Sequence, residues 1–146
     1  MIAWHYTTGQ KFKLIIDSGF LMPTSIGVKP PEKPILWFSL NQYWENTANK
    51  AWQHSSGEIE RLSMPDTFKV GGGLVRFGIS PKELHLGEQL RRKARMSSSI
   101  WRLLCNEGLR QKAKTSEWCG TIASLPVDKL IVEVMDDKFN WVRVTN

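Results

Sequence analysis

The sequence predicts an α+β fold, in which helices pack on a mixed β-sheet within a single domain covering residues 1–146. Strand-like and helix-like segments alternate over the first two thirds of the chain. The last third then holds three short strand patterns with no helix between them, which argues against a doubly wound fold. Hydrophobic residues make up 41% and charged residues 23% of the 146 residues. That composition indicates a folded chain of one-domain size and excludes wholesale disorder.

The first half of the chain is expected to alternate strand, helix, strand, helix. IAWHYT is rich in aromatic residues and predicts a strand, after which Thr7 and Gln10 have the spacing of a capping box and Gly19 ends the helix. A proline-rich loop leads to ILWFS (35–39), a second strand. Asn41 is then expected to cap a second helix. The apolar stripe of that helix comprises Trp44, Ala48, Ala51 and Trp52.

The second half is expected to hold most of the sheet. Residues 54–70 are mixed in composition and predict irregular structure. The glycines at 71–73 lack the Lys-Ser/Thr ending of a phosphate-binding loop, so they indicate a turn into the strand LVRFGIS. Residues 81–114 predict two helices separated at the serines 97–99. SEWCGTI, KLIVEVM and FNWVRV complete the sheet.

Composition also narrows the class of protein. No apolar run approaches the roughly 20 residues of a membrane helix. The opening MIAWHYTTGQKFKLII meets polar and cationic residues before any apolar run, unlike a signal peptide. Cys105, Cys119 and three histidines fit neither a disulfide framework nor a metal site with recognisable spacing. We therefore expect a reduced, cytoplasmic protein that needs no metal and no membrane.

The positive charge of the chain is concentrated in one region. Residues 89–114 contain eight cationic residues against the single acidic Glu107, whereas the whole chain has a net charge of +6. Such a cluster attracts phosphate backbones or an acidic partner, and Trp101 within it offers a base-stacking surface. The alternative is a solvated helix face. The candidate phosphate-binding residues are Arg91, Arg92, Lys93 and Arg95.

Three residues stand out as candidates for chemistry. His5 lies near the end of the first strand, Trp37 lies within an apolar strand, and Glu117 lies in a strand where an unpaired buried carboxylate would be costly. Together a histidine, an aromatic wall and a carboxylate could hold a flat cationic ring that bears a ribose. Each residue also has a structural alternative: a hydrogen-bonded strand histidine, a core tryptophan and an edge carboxylate.

The order of these segments resembles a known family. IAWHYTT, KLIIDSGFLMP, ILWFSLNQYWENTAN and TSEWCGTIASLPVDKLIVEV are similar, in order and spacing, to the motifs of the ADP-ribosyltransferases of the diphtheria-toxin and poly(ADP-ribose)-polymerase type. The resemblance covers both ends of the chain and leaves the basic middle unmatched. It implies a split mixed β-sheet core and cleavage of NAD at the bond between nicotinamide and ribose, with transfer of ADP-ribose to a macromolecule.

The resemblance also assigns roles to residues. Glu117 and His5 would be catalytic: Glu117 would bind the ribose 2′-hydroxyl, and His5 would hydrogen-bond a ribose hydroxyl. The Tyr6 backbone would hold the carboxamide and Trp37, in place of the usual tyrosine, would stack on nicotinamide. A second stacking residue has no clear counterpart. The implied NAD-binding set is His5, Tyr6, Thr7, Trp37, Phe38, Ser39, Tyr43, Trp44, Thr47 and Asn49. Should Glu117 not serve, Glu133 is the next candidate.

The acceptor of ADP-ribose is predicted from the charge distribution. The basic stretch favours nucleic acid, DNA or RNA, over protein, and plain NAD hydrolysis is the remaining possibility. Small transferases of this kind act as toxins in toxin–antitoxin or phage-defence systems, so the resemblance implies a neutralising antitoxin protein. The alternative function is a non-enzymatic basic domain that binds nucleic acid or serves as an adaptor.

Overall fold

The computed structural model describes residues 1–144, and within them the chain forms an antiparallel sheet with helices packed against it. Along the chain the strands are β1 (Ala3–Thr8), β2 (Phe20–Leu21), β3 (Leu36–Ser39), β4 (Ala51–Gln53), β5 (Ile59–Arg61), β6 (Leu74–Ile79), β7 (His85–Leu86), β8 (Trp118–Thr121), β9 (Leu125–Pro126), β10 (Ile131–Met135) and β11 (Trp141–Arg143). The α-helices are α1 (Gly9–Ser18), α2 (Met64–Gly71), α3 (Gly87–Lys93) and α4 (Ser98–Arg110).

The main sheet has the strand order β11-β10-β6-β1-β3-β8-β7. Every strand pair within residues 1–144 is antiparallel, including the two small pairs β2–β9 and β4–β5. The α+β class is confirmed, whereas the expectation of a mixed sheet is wrong. β3 and β6, the strands on either side of β1, both run antiparallel to it, so the chain needs no parallel crossover there.

The sheet is nearly interrupted between β1 and β3. In the described part of the chain these two strands share one ladder pair, Trp4 with Ser39. On its other side β1 pairs with β6 at all six of its residues, and β3 pairs with β8 at four. Beyond Trp4, β1 therefore turns an edge toward β3 that carries no ladder pairing. We call this place the seam.

The two faces of the sheet carry different cores. Side chains alternate along a strand, so Ala3, Phe38 and Phe77 lie on one face, where α1 packs through Phe12 and Ile15. The opposite face of β1 carries a cluster of Trp4, Tyr6, Trp44, Leu74 and Met135. A third cluster joins α3 and α4 to the β3–β8 end of the sheet, with Leu90, Ala94 and Met96 at its centre.

A buried ion pair joins β6 to β10. Arg76 and Glu133 occupy paired positions of the two strands, and Arg76 Nε donates to Glu133 Oε1 at 2.9 Å. The guanidinium also lies over the Trp4 ring, 3.8 Å from its centroid, and Arg143 binds the second carboxylate oxygen of Glu133 at 3.1 Å. Glu133 is thus neutralised by two arginines and lies outside the residues that line the site described below. It is a poor substitute for Glu117.

The helix expected after Asn41 does not form. The Asn41 side-chain oxygen accepts hydrogen bonds from the backbone N–H groups of Tyr43 and Trp44, which holds the chain in a turn. Glu45 then caps a single 3₁₀ turn, Asn46–Ala48, and the chain continues into β4. Competition from the side chains of Asn41 and Glu45 for backbone donors explains why the apolar stripe does not produce a helix.

The expectation of irregular structure at 54–70 is also wrong. β5 completes a hairpin with β4, and α2 begins where Ser63 Oγ accepts from the Asp66 N–H at 3.2 Å. The two helices expected within 81–114 are confirmed as α3 and α4, and Ser97 caps α4. Gly19 ends α1 in the left-handed conformation, at φ 79°, as predicted. The capping box is wrong: Thr8 is the N-cap, and within the described structure its side chain makes no cap bond.

Candidate active site

A cavity of about 500 Å³ lies at the seam. It is bounded by β1 and β3, by the loop after β3, by one face of α4 and by the start of β8. Its lining residues are Trp4, His5, Tyr6, Lys11, Thr24, Trp37, Phe38, Ser39, Glu45, Thr47, Ala48, Arg61, Leu104, Glu107, Gly108, Gln111 and Trp118. We call it the seam cavity. A volume of this order is typical of small-molecule sites.

His5 bridges the gap where the two strands diverge. Its Nδ1 lies 2.7 Å from the backbone oxygen of Trp37, and its ring packs edge-on against Phe38. A carbonyl oxygen only accepts, so Nδ1 carries the hydrogen and donates it. Burial lowers the pKa of His5, with a smaller contribution from Lys11 in the same direction, so the neutral ring is favoured. Within residues 1–144, Nε2 forms no hydrogen bond and remains an acceptor.

Three indoles, those of Trp37, Trp101 and Trp118, pack together as an aromatic cluster. Trp37 stacks on Trp101 with ring centroids 6.0 Å apart and meets Trp118 edge-on at 5.7 Å. Trp37 and Trp118 line the seam cavity, and Trp101 lies behind them in the α4 cluster. Trp101 is half-buried and packs on Trp37, and its use as a base-stacking surface stays a prediction.

A buried carboxylate faces the same cavity from the loop after β3. Glu45 is 8% exposed and accepts three hydrogen bonds. Ser39 Oγ donates to Oε1 at 2.9 Å, while the Thr47 hydroxyl and backbone N–H donate to Oε2 at 2.7 and 3.2 Å. The sequence did not single out Glu45. Its burial depends on the conformation of the loop after β3, which no local sequence pattern predicts.

Glu117 lies beside the seam cavity, outside the set of residues that line it. It ends a 3₁₀ turn, Thr115–Glu117, so its expected position within a strand is wrong; the chain must turn sharply between α4 and β8. Its backbone oxygen accepts from the Leu40 N–H at 2.8 Å, and its neighbour Trp118 lines the cavity. Burial raises the pKa of Tyr6 to about 12, and the charges of Glu45 and Glu117 contribute to that rise. Glu117 is therefore within electrostatic reach of the Tyr6 hydroxyl.

The structure brings together part of the residue set implied for NAD. Six of its members line the seam cavity: His5, Tyr6, Trp37, Phe38, Ser39 and Thr47. Four do not: Thr7, Tyr43, Trp44 and Asn49. Trp44 is a core residue whose Nε1 donates to Asn49 Oδ1, and the half-exposed Tyr43 donates its hydroxyl hydrogen to the Phe139 backbone oxygen. Neither of these aromatic rings lines the cavity, whereas the ring of Trp118 does.

The cavity also has polar groups that the sequence did not reveal. Lys11 and Arg61 supply two positive charges to its lining, and α4 contributes Leu104, Glu107 and Gly108 at helical spacing. Among the described residues, the buried Gln111 Oε1 and Trp118 Nε1 have no hydrogen-bond partner. Both residues line the cavity, so a ligand there could satisfy an acceptor and a donor that the protein leaves unpaired.

The four candidate phosphate-binding residues differ in their surroundings. Arg91 holds Glu88 through two of its nitrogens at 2.9 Å and donates to the Met96 backbone oxygen at 2.7 Å, which ties the end of α3 together. Its guanidinium is therefore occupied within the protein. Arg92, Lys93 and Arg95 are exposed and remain candidates for contact with phosphate.

Three comparisons bear on identity. No protein-family model, curated protein or solved structure matches the chain. Among residues 1–144, no helix is long and apolar enough to cross a membrane. The same residues contain no group of three histidine, cysteine or acidic side chains placed to hold a metal ion.

Proposed function

We propose that this protein is an NAD-dependent ADP-ribosyltransferase whose substrate binds in the seam cavity. The observation that carries the proposal is the convergence of His5 and Trp37 on one cavity, with Glu117 beside it. These residues are separated by up to 112 positions in sequence, and the order of their motifs resembles that family. The positive charges of Lys11 and Arg61 suit the pyrophosphate of a dinucleotide.

Each residue would act through a group that its surroundings leave free. His5 has Nδ1 committed to the Trp37 carbonyl, so Nε2 would accept a hydrogen bond from a ribose hydroxyl. The unpaired edge of β1 after Trp4 would offer Tyr6 backbone groups to the carboxamide. The indole of Trp37 would stack on the nicotinamide ring. Glu117 would bind the ribose 2′-hydroxyl and stabilise the positive charge that develops on the sugar as nicotinamide leaves.

The acceptor that we propose is nucleic acid. α4 lines the seam cavity with one face, and α3 precedes it along the chain. Arg92 and Lys93 at the end of α3, and Arg95 just after it, are exposed and would bind the phosphates of a nucleic-acid strand. Neutralisation by an antitoxin protein, and a role as a toxin or in phage defence, are further proposals that rest on the resemblance.

The test is incubation of the protein with NAD labelled in its adenylate part, together with separated DNA, RNA and protein from a cell extract. We expect release of nicotinamide and label in the nucleic-acid fraction. Glu117→Gln is nearly isosteric and removes one preorganised charge, so we expect the rate to fall at least ~100-fold while the fold is retained. Circular dichroism and thermal melting check the fold.

Glu58→Gln is the matched control, because Glu58 is an exposed carboxylate in the β4–β5 hairpin. It should release nicotinamide at the parental rate. Label in the protein fraction would instead identify protein as the acceptor of ADP-ribose. Absence of nicotinamide release from the folded wild type would contradict the transferase and favour the alternative, a basic domain that binds nucleic acid or serves as an adaptor.

A further inference from the structure

The carboxylate of Glu45 is buried, and among the described residues it has no cationic partner. Ser39 Oγ accepts from the Asn41 N–H at 3.1 Å, which leaves its own hydrogen to donate to Glu45. The Thr47 backbone N–H can only donate. Three donors therefore converge on this carboxylate. In the described structure no lysine, arginine or histidine forms a salt bridge with it.

None of the cations near the cavity pairs with the Glu45 carboxylate. Lys11 and Arg61 line the same cavity and reach no salt-bridge distance from Glu45. Arg76, which donates to the Tyr6 hydroxyl at 3.4 Å, is bound by Glu133. A buried anion without a cation nearby is costly to the fold, and a ligand that brings positive charge would offset that cost.

The position of Glu45 relative to Trp37 suggests the shape of that ligand. Glu45 is held by Ser39, which lies two residues beyond Trp37 on the same face of β3, at a spacing of about 7 Å. Trp37 and Glu45 also line the same cavity, so a flat ring stacked on Trp37 would share that cavity with the carboxylate. Aromatic stacking and an opposite charge together select a planar cation.

We propose that Glu45 is the counter-ion of the substrate's ring and makes the seam cavity selective for a flat cationic heterocycle, the pyridinium of NAD. The inference rests on the proposed function for the identity of this ring, and it adds a specificity-determining residue that the resemblance does not assign. Glu45 binds the ring before the bond to ribose breaks. Once nicotinamide leaves as a neutral molecule, the attraction disappears and product release is favoured.

The experiment compares two probes by titration calorimetry: nicotinamide, which is neutral, and nicotinamide methylated on its ring nitrogen, which is a cation of nearly the same shape. We expect the wild type to bind the cation about tenfold more tightly, given the attraction between opposite charges in a partly buried site. Glu45→Gln should lose that preference, while Glu58→Gln, which alters an exposed carboxylate outside the cavity, should retain it.

Wild-type protein that binds the two probes equally, or binds neither, would overturn the inference whatever the variants do. So would loss of the preference in Glu117→Gln but not in Glu45→Gln, because the counter-ion would then be Glu117. If Glu45→Gln fails to fold, Glu45→Asp keeps the charge and must keep the preference. A cation preference that depends on Glu45, in a protein that releases no nicotinamide from NAD, would sustain this inference while the proposed function fails.

Discussion

The histidine at the seam is held by a hydrogen bond that specifies the tautomer of its neutral ring. His5 donates through Nδ1 to the Trp37 carbonyl at 2.7 Å, and burial lowers its pKa from the ordinary value of 6.5. The folded protein therefore binds this proton less readily than the unfolded chain does. Stability from the neutral ring is present above pH 6.5 and is lost as the pH falls through the lowered pKa of the folded state.

We accordingly expect the free energy of unfolding to fall as the pH is lowered from about 7.5 to about 5, and to fall less in His5→Gln. Glutamine can still donate to the Trp37 carbonyl but does not titrate. Urea unfolding at several pH values measures both proteins. His54→Gln is the control, because His54 is exposed and pairs with Glu60 on the surface hairpin. An identical pH profile for wild type and His5→Gln would show that His5 does not titrate differently on folding.

At the scale of single residues, the sequence could indicate His5 and Trp37 because short aromatic strands are visible locally. It could not indicate Glu45. Burial of this carboxylate requires Ser39 and Thr47 to approach from either side of a turn. That turn exists because Asn41 takes two backbone donors from a segment with the apolar spacing of a helix. The competing hydrogen bonds become apparent only in three dimensions.

Among the elements, α4 has one face against the seam cavity and another toward solvent. Leu104, Glu107 and Gly108 line the seam cavity, while Arg102 and Asn106 are exposed. Gly108 lets the helix lie directly on the Trp118 ring: an added Cβ would come within 2.5 Å of Trp118 Cζ2. The position of one cavity wall thus depends on a glycine inside a helix.

Gly108→Ala should therefore destabilise the protein even though alanine is the better helix former. The gain in helix propensity is about 1 kcal/mol, whereas overpacking of a buried ring costs about 1–3 kcal/mol. Displacement of Trp118 should also weaken binding in the cavity. Urea unfolding and NAD titration measure the two effects.

The matched control for this helix is Asn106→Ala, at an exposed position two residues earlier. It should stabilise the protein by about 0.5 kcal/mol and leave binding unchanged. A Gly108→Ala protein more stable than wild type, with intact binding, would mean that Trp118 moves aside freely.

Over the whole molecule, the cations proposed to bind phosphate lie at the end of α3 and just beyond it, where Arg92, Lys93 and Arg95 are exposed. Replacement of Arg92, Lys93 and Arg95 by glutamine should weaken binding of a single-stranded nucleic acid. The slope of log affinity against log salt should fall by about 0.7 for each phosphate that the variant no longer neutralises, or about 2 for three phosphates. Nicotinamide release without acceptor should be unchanged. Fluorescence anisotropy over a salt series measures the slope.

The control variant tests the effect of net charge alone. In it, glutamine replaces three exposed lysines elsewhere on the surface: Lys13, Lys69 and Lys129. This variant carries the same net charge and should keep the parental slope. Arg91 is left intact in both variants because it holds Glu88 and the Met96 carbonyl. Equal slopes in the two triple variants would mean that Arg92, Lys93 and Arg95 are solvated and contact no phosphate. The electrostatic argument for nucleic acid would then fail.

The α+β class could be predicted because strand and helix periods are largely local. The antiparallel order of the sheet could not, since β1 lies between β3 and β6, and β10 pairs with β6 across more than fifty residues of sequence. The Arg76–Glu133 ion pair that accompanies this pairing has no local signature either.

The single ladder pair between β1 and β3 divides the main sheet into two groups of strands. The chain crosses this line four times, from β1 to β3, from β3 to β6, from β6 to β7 and from β8 to β10, so neither group is a continuous fragment. β1 and β6 share six ladder pairs, whereas β1 and β3 depend on side chains such as His5 and Tyr6, which hydrogen-bond the backbone oxygens of Trp37 and Asn41. The two groups of strands are therefore held together at the seam cavity largely by the side chains that line it.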